Sequence, residues 1–401
     1  MPERVFVTGV GIISAIGFNC GETENSLQEM RSGIGRITQL DTLYRNEIPV
    51  AEVKATHAEL VKMANVPENG PYSRTSLLGI IAARQALMQS RITDVSSART
   101  GLISATTVGG MDRSEKFYKQ YMKNNLRGRL RDIITHDCGN STEEIADSLG
   151  VRDYISTVST ACSSSANAVL VGARLIKSGR LDRVLVGGTD ALTLFTLNGF
   201  NSLMILDKSG CKPFDEERNG LTLGEGSGFL MIESGKLTEG ENKTVLCEIT
   251  GYGNACDAYH QTASSPEGDG AYLSMRKALD MAGLDPCHID YINAHGTGTK
   301  NNDLSEGKAI ERLFRDAVPR CSSTKSFTGH TLGAAGGIEA VLCVLALQHQ
   351  WIYPNLFFRQ KMTELNFSPV TDFQSNIPLR HVMSNSFGFG GNNASIIFSG
   401  C

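Results

Sequence analysis

One cysteine, two histidines, a lysine and a glutamate stand in stretches that set them apart from the rest of the chain. Cys162 lies in VSTACSSSANAVLVGARL, residues 158–175, between Thr160-Ala161 and three serines. Behind it Ala166, Val169, Leu170, Ala173 and Leu175 recur with helical spacing, so the thiol sits at or just before a helix N-terminus. Unpaired amides and the positive end of the helix dipole favour an anion there. That predicts a thiol pKa below the free value of about 8.5 and a thiolate nucleophile. The small neighbours leave room for a substrate backbone or for a second helix. Taken alone, a buried cysteine is more often a small hydrophobe. The histidines shift that balance. His295 closes the strand-like run YINA and opens a small, hydroxyl-bearing loop, Gly296-Thr297-Gly298-Thr299. His330 follows Lys325-Ser326-Phe327-Thr328-Gly329 and precedes a glycine- and alanine-rich helix. Glu339 falls inside that otherwise apolar helix, where a carboxylate is costly unless paired, and Lys325 is the partner to expect. Near the C-terminus NSFGFGGNNA, residues 385–394, is a mobile glycine loop with two aromatics whose amides can approach an oxyanion. Together these groups make a Cys-His-His site with a buried Lys–Glu pair behind it.

The elements that must position them follow from pattern. VFVTGVGIIS, residues 5–14, reads as a strand running into a glycine turn, followed by a helix over 23–32. A helix over 72–89 has Pro71 at its first position. A strand over 100–108 ends at Gly109-Gly110, and residues 111–147 are charged and uneven. After the Cys162 helix comes a buried strand over 183–187, then a long irregular stretch over 211–233 and a surface connection over 235–243. The pattern then restarts: VLCEITGYG, residues 245–253, echoes VFVTGVG. A helix over 270–282, a strand over 291–294, a helix over 302–316, an apolar helix over 333–348 and a closing strand over 394–398 complete it. Strands alternating with helices predict largely parallel sheets under helical layers.

Bulk properties exclude several classes. The chain has 401 residues, which points to two domains or one large duplicated one. With 41% apolar and 20% charged residues it is globular and not disordered. A net charge of −4 without a basic run argues against nucleic acid as a partner. The longest fully apolar run, over 340–347, has eight residues and cannot span a bilayer. Strand-like sequence begins by Arg4, leaving no room for a secretion signal. Ten cysteines without a CxxC pair or metal-ligand spacing predict reduced thiols in a cytoplasm, with neither a disulfide frame nor a zinc site.

Taken in order, TACSSS, NAHGTGT, KSFTGHTLGAAGGIEA and SFGFGG resemble the elongating β-ketoacyl-[acyl-carrier-protein] synthases. The likeness runs from the TGVG start to the NSFGFGGNNAS end. It is similar to the decarboxylating Cys-His-His branch, not to the Cys-His-Asn branch that primes with acyl-CoA. Thiolases carry a second cysteine near the C-terminus, where this chain has Phe387-Gly388-Phe389. The resemblance implies an α/β protein with the five-layered αβαβα thiolase fold and internal duplication. Residues 1–243 would be the half carrying the nucleophile, and 244–401 the half carrying the two histidines. A homodimer is implied, with a heterodimer with a related subunit as the alternative.

The resemblance also implies roles. Cys162 would take the acyl chain from the phosphopantetheine of an acyl carrier protein, with the amides of Cys162 and Phe389 as oxyanion hole. His295 and His330 would hold the malonyl thioester carbonyl during decarboxylation, supported by Lys325 and Glu339. Thr297 and Thr299 match hydroxyls along the pantetheine tunnel, and Val108 matches a residue lining the acyl pocket. Phe387, Gly388, Phe389 and Gly390 match a substrate-contacting gate in which Phe389 swings. Neither a metal nor an organic cofactor is expected. Three stretches depart from the family pattern. HDCGNSTEEIADSLG (residues 136–150) replaces a methionine- and glycine-rich helix, residues 72–74 match the basic carrier-docking helix poorly, and Asn219 replaces an acid in PFDxxRDG. Carrier and chain length therefore stay open, with a polyene or other specialised lipid as credible as housekeeping fatty acid synthesis.

Three rivals remain. A chain-length-factor subunit of the same fold would lack the nucleophilic cysteine. A dinucleotide-binding oxidoreductase is suggested by Gly9, Gly11 and Gly17 after a strand, though the spacing is not GxGxxG. A plain binding module leaves the coincidence of Cys, two His, Lys and Glu unexplained.

Overall fold

The computed structural model describes residues 3–401. Its first run of elements is β1 (Val5–Ser14), α1 (Cys20–Gln28), α2 (His57–Ala64), α3 (Arg74–Gln89), β2 (Thr100–Ala105), α4 (Met111–Lys123), α5 (Cys138–Leu149), β3 (Tyr154–Val158), α6 (Ser164–Lys177), β4 (Arg183–Asp190), α7 (Leu194–Ser202), β5 (Gly226–Ser234) and α8 (Gly235–Gly240). The second run is β6 (Cys247–Cys256), α9 (Asp269–Ala282), β7 (Tyr291–Asn293), α10 (Lys300–Phe314), β8 (Arg320–Ser322), α11 (Lys325–Thr328), α12 (Ala335–His349), β9 (His381–Phe387) and β10 (Asn392–Ser399).

The strands lie in the order β3-β2-β4-β5-β1-β6-β10-β9-β7-β8. Read outward from the centre, β1-β5-β4-β2-β3 and β6-β10-β9-β7-β8 are the same arrangement. In each run the inner pairs are antiparallel and the outer pairs parallel. The echo of VFVTGVG in VLCEITGYG is therefore β1 against β6, the first strand of each copy. The two sets touch edge to edge through two residue pairs, Phe6↔Glu248 and Val7↔Cys247.

Strand alternation sorts side chains between layers. On β4, Val184 and Val186 join the central core while Leu185 faces the outer one. α6 and α12 fill the space between the two sets of strands, α3 covers the outer face of the first set, and α9 with α10 covers the second. These are the five layers of the expected αβαβα fold. α12 is apolar around its whole circumference because it is enclosed on every side. Among the described residues, 332–349 is the one stretch long and apolar enough to cross a membrane, and 89% of it is buried inside the protein. Glycines allow the close approach. A Cβ on Gly228 of β5 would stand 2.5 Å from the Gly337 carbonyl carbon, and one on Gly336 would stand 2.8 Å from the Ala166 amide nitrogen. The Gly337 N–H donates to Ser165 Oγ at 2.7 Å. The small residues after Cys162 thus admit a second helix, α12.

Several boundaries differ from the sequence reading. Pro71 is not the first residue of α3: Ser73 is the cap, its side chain accepting from the Ser76 amide. α1 starts earlier, at Cys20, because Asn19 caps it through the Glu22 amide at 3.0 Å. β2 stops at Ala105, since the buried Asp190 carboxylate captures the amides of Thr107 and Val108 that would continue it. β4 runs on to that same Asp190. The stretch read as irregular contains β5, whose glycine- and serine-rich start hides a fully buried strand. The surface connection contains α8, and its Lys243 reaches back to buried Glu233 at 2.6 Å. The uneven segment holds α4 and α5. β3, β8 and β9 have no counterpart in the sequence reading.

Candidate active site

The nucleophile turn leads directly into the central layer. Ala161 takes φ 54, uncommon for a residue with a Cβ, and Cys162 follows with α6 starting two residues later. Cys162 is 7% exposed and faces a cavity of about 340 Å³. The expectation of an acidified thiol is overturned: burial pushes the thiol pKa up to about 11. Lys325, the Phe389 amide and the thiol's own amide act in the opposite direction but do not outweigh it. Loss of solvent around a forming thiolate exceeds what a helix N-terminus returns.

The two imidazoles converge on the sulphur. His330 Nε2 lies 3.0 Å from Cys162 Sγ. His330 stands in the turn ahead of α12, as its place before the glycine- and alanine-rich helix suggested. It follows α11 and is clamped by main-chain bonds, its N–H to the Thr222 carbonyl at 2.7 Å and its carbonyl to the Gly224 N–H at 2.9 Å. His295, just beyond β7, packs its ring edge-on to His330 with centroids 5.4 Å apart. Lys325 Nζ contacts the His295 carbonyl at 2.6 Å and its Nδ1 at 3.2 Å, and closes the expected ion pair with Glu339. With Nδ1 accepting from Lys325, His295 carries its ring proton on Nε2. His330 Nδ1 is buried without a partner, and a bare lone pair there costs less than an orphaned N–H, so its proton also belongs on Nε2. Burial first, then the Lys325 charge, holds both histidines well below the usual imidazole pKa, so both rings are neutral.

Two carboxylates that the sequence reading passed over hold the His295 loop. Glu306 accepts from the amides of His295 at 2.9 Å and Gly296 at 2.8 Å, and Asp303 accepts from Thr297 at 2.9 Å and from Gly298. The signal was present in their spacing, three apart on one face of α10 directly after the HGTGT loop. Asp190, also unremarked, ties Thr106, Thr107 and Val108 to Gly333, three residues past His330.

The cavity is lined by Cys162, His295, His330, Thr297, Thr299, Phe387, Gly388 and Phe389, with Lys300 and Asn301 toward solvent. The Thr297 and Thr299 hydroxyls lie 2.9 Å apart. Phe389 is 36% exposed and stacks on Phe200 of α7, a further lining residue the sequence reading did not name. Lys325 and Glu339 stand behind the rings and not in the lining. Gly390, at φ 81, is bonded to the Gln261 carbonyl, away from the cavity. Val108 is not itself in this lining; it packs with Leu192 and Leu332 in a cluster that borders the cavity through the lining residue Leu221.

The donor atoms of Cys162, His295 and His330 all lie within 4.8 Å of one another. Spacing along the chain, which argued against a metal site, carries no information about a trio that folding assembles. Gly9 and Gly11, the basis of the dinucleotide reading, serve packing: a Cβ would come within 2.2 Å of the Ala86 carbonyl oxygen and 2.0 Å of that of Ala82 on α3.

Two family profiles match, "Beta-ketoacyl synthase, N-terminal domain" over residues 2–237 and "Beta-ketoacyl synthase, C-terminal domain" over residues 246–359. A 3-oxoacyl-[acyl-carrier-protein] synthase 2 of Staphylococcus aureus (strain N315) is 34% identical over 408 residues, covering 99% of this chain and 98% of that protein. Among solved structures, the ishigamide ketosynthase/chain length factor superimposes with TM-score 0.94 at 32% identity, covering 100% of both chains. A ketosynthase in complex with its chain length factor from Xenorhabdus doucetiae gives TM-score 0.87 at 32% identity, covering 100% of this chain and 98% of that one. These matches extend over nearly the whole length, and the chain belongs to the β-ketoacyl synthase family.

Proposed function

We propose that Cys162 carries the growing acyl chain as a thioester while His295 and His330 hold a malonyl thioester, in a decarboxylative condensation that yields a 3-oxoacyl-[acyl-carrier-protein] two carbons longer. The observation that carries the reading is the 3.0 Å approach of His330 Nε2 to Cys162 Sγ at the end of a solvent-reaching cavity. The sulphur attacks the acyl-carrier thioester carbonyl, and the Cys162 and Phe389 amides receive the oxyanion. The S–H proton ends on the departing pantetheine thiol. Because the thiol is held protonated at rest, the ring N–H and amides act as the negative charge forms on sulphur. For the second substrate, the carbon–carboxylate bond breaks, carbon dioxide leaves, and the electron pair passes to the thioester oxygen between two Nε2–H donors. The enolate carbon then attacks the acyl carbonyl on Cys162, whose sulphur is expelled as a thiolate and takes one proton from solvent to restore the thiol.

Lys325 fixes the His295 tautomer, and Glu339 balances its charge. Thr297 and Thr299 suit the amides of a pantetheine arm, and Phe389 over Phe200 suits a gate. In this reading an acyl carrier protein is the partner that delivers the arm to the mouth. Ten free thiols suit a reducing cytoplasm. A chain-length-factor role fits less well, because nothing in such a role uses the thiol–imidazole contact. The edge strand β3, with Tyr154 and Ile155 over a third exposed, suits pairing with a second chain of this fold, a like copy or a related subunit.

Cys162→Ala is expected to lower condensation by on the order of 10³-fold or more, measured as 3-oxoacyl carrier by mass spectrometry. Undiminished elongation by this variant would refute the reading. His295→Ala and His330→Ala are expected to lose malonyl decarboxylation by about 10²–10³-fold while Cys162 still accepts an acyl group.

A further inference from the structure

We propose that Cys162, His295 and His330 form a binding site for a soft divalent cation such as Zn²⁺, and that its occupancy shuts the active site. The inference goes beyond the catalytic reading and uses only the arrangement of the trio. A thiolate with two imidazoles is a donor set suited to zinc, which takes such ligands tetrahedrally at about 2.0–2.3 Å and leaves a fourth position to water. Donors already within 4.8 Å of one another, on a cavity open to solvent, reach that geometry by adjustments of about 1–2 Å in each pair.

The surroundings dictate how the ion enters. Lys325 of α11 is the charged group that touches the His295 ring, and Glu339 of α12 pairs with Lys325 behind it. Glu306 of α10 meets the His295 main chain and not its ring, and Asp190 of β4 bonds the loop after β2 and Gly333. To ligate through Nε2, His330 moves its proton to the partnerless Nδ1, at the cost of a buried N–H without an acceptor that the bond to the ion has to exceed. His295 cannot do the same freely, because its Nδ1 faces Lys325 Nζ at 3.2 Å. One proton therefore leaves the Lys325–His295 pair, and a second leaves the thiol. One Zn²⁺ replaces two protons, so the buried cluster keeps its net charge, the condition under which a low-dielectric site accepts an ion.

The test is a Zn²⁺ titration of the full chain, read as the rate of iodoacetamide alkylation at Cys162, located by peptide mass spectrometry. Zn²⁺ is expected to protect Cys162 and chelator to restore alkylation. Co²⁺ as a spectroscopic probe is expected to give a thiolate charge-transfer band at one equivalent, absent in Cys162→Ser. Alkylation of the unaltered chain at the same rate with and without Zn²⁺ overturns the proposal, as does protection that persists undiminished when His295→Ala and His330→Ala are combined. These readouts contain no substrate. Condensation in chelator without Zn²⁺ protection defeats the metal site alone, and protection without condensation defeats the catalytic reading alone.

Discussion

The two central helices are entered in different ways, although the strands before them occupy matching places. β3 passes through one tight turn into α6, with Cys162 two residues ahead of the helix. β8 leads through α11, the His330 turn and a short 3-10 segment at Leu332–Ala334 before α12 begins. The first connection presents a single nucleophile. The second has room for a lysine, a histidine and a route to the Glu339 carboxylate. Duplication thus supplied a frame that brings two connections to one point, and the chemistry sits where the copies differ. Loops tolerate insertion and the layers between them do not.

That contrast breaks most severely at Glu339, the charge within the apolar helix. Glu339→Leu leaves the Lys325 ammonium buried without its counter-charge and is expected to cost about 3–5 kcal/mol in urea unfolding. Acyl transfer and decarboxylation should fall with it, since Lys325 then no longer holds His295. A stable, active Glu339→Leu protein would show that the second connection does not depend on its ion pair.

Acid sharpens the comparison. Burial keeps both imidazoles neutral in the folded chain, while the unfolded chain takes up protons below about pH 6.5. The unfolded state then binds more protons, so stability falls as pH falls. Each histidine contributes about 1.4 kcal/mol per pH unit to that slope. His330→Asn is expected to be less acid-sensitive than the parent by about that amount in denaturant unfolding between about pH 6.5 and about pH 5. Identical slopes would mean that His330 titrates normally in the fold.

The smallest effect belongs to a pair outside the central layer. Arg312 and Asp269 meet at 2.7 Å between α10 and α9, with about half of each side chain exposed. Solvent screens such pairs, and Arg312→Ala is expected to shift stability by at most about 0.5 kcal/mol. A loss as large as that of Glu339→Leu would remove the distinction drawn between buried and exposed charge.

Much of this was legible in one dimension. Helical spacing placed α6 and α12, the glycine echo placed β1 against β6, and a carboxylate amid AVLCVLAL required a cation such as Lys325. These are local signals, set by the period of a helix or strand and by the cost of burying a charge. β5 was hidden because a strand buried on both faces shows no alternation, and its glycines, needed for contact with α12, look like loop residues.

The chain's order of residues determined which groups are candidates for chemistry, where the long helices α3, α6, α9, α10 and α12 run, and that the fold is duplicated, because each depends on neighbours within a few positions. Folding decided the rest. It brought Cys162 and His330 together across 168 positions, placed Val108 outside the cavity lining, and raised the thiol pKa that a helix terminus alone would have lowered. Desolvation depends on everything packed around a group, and no window of sequence contains that sum.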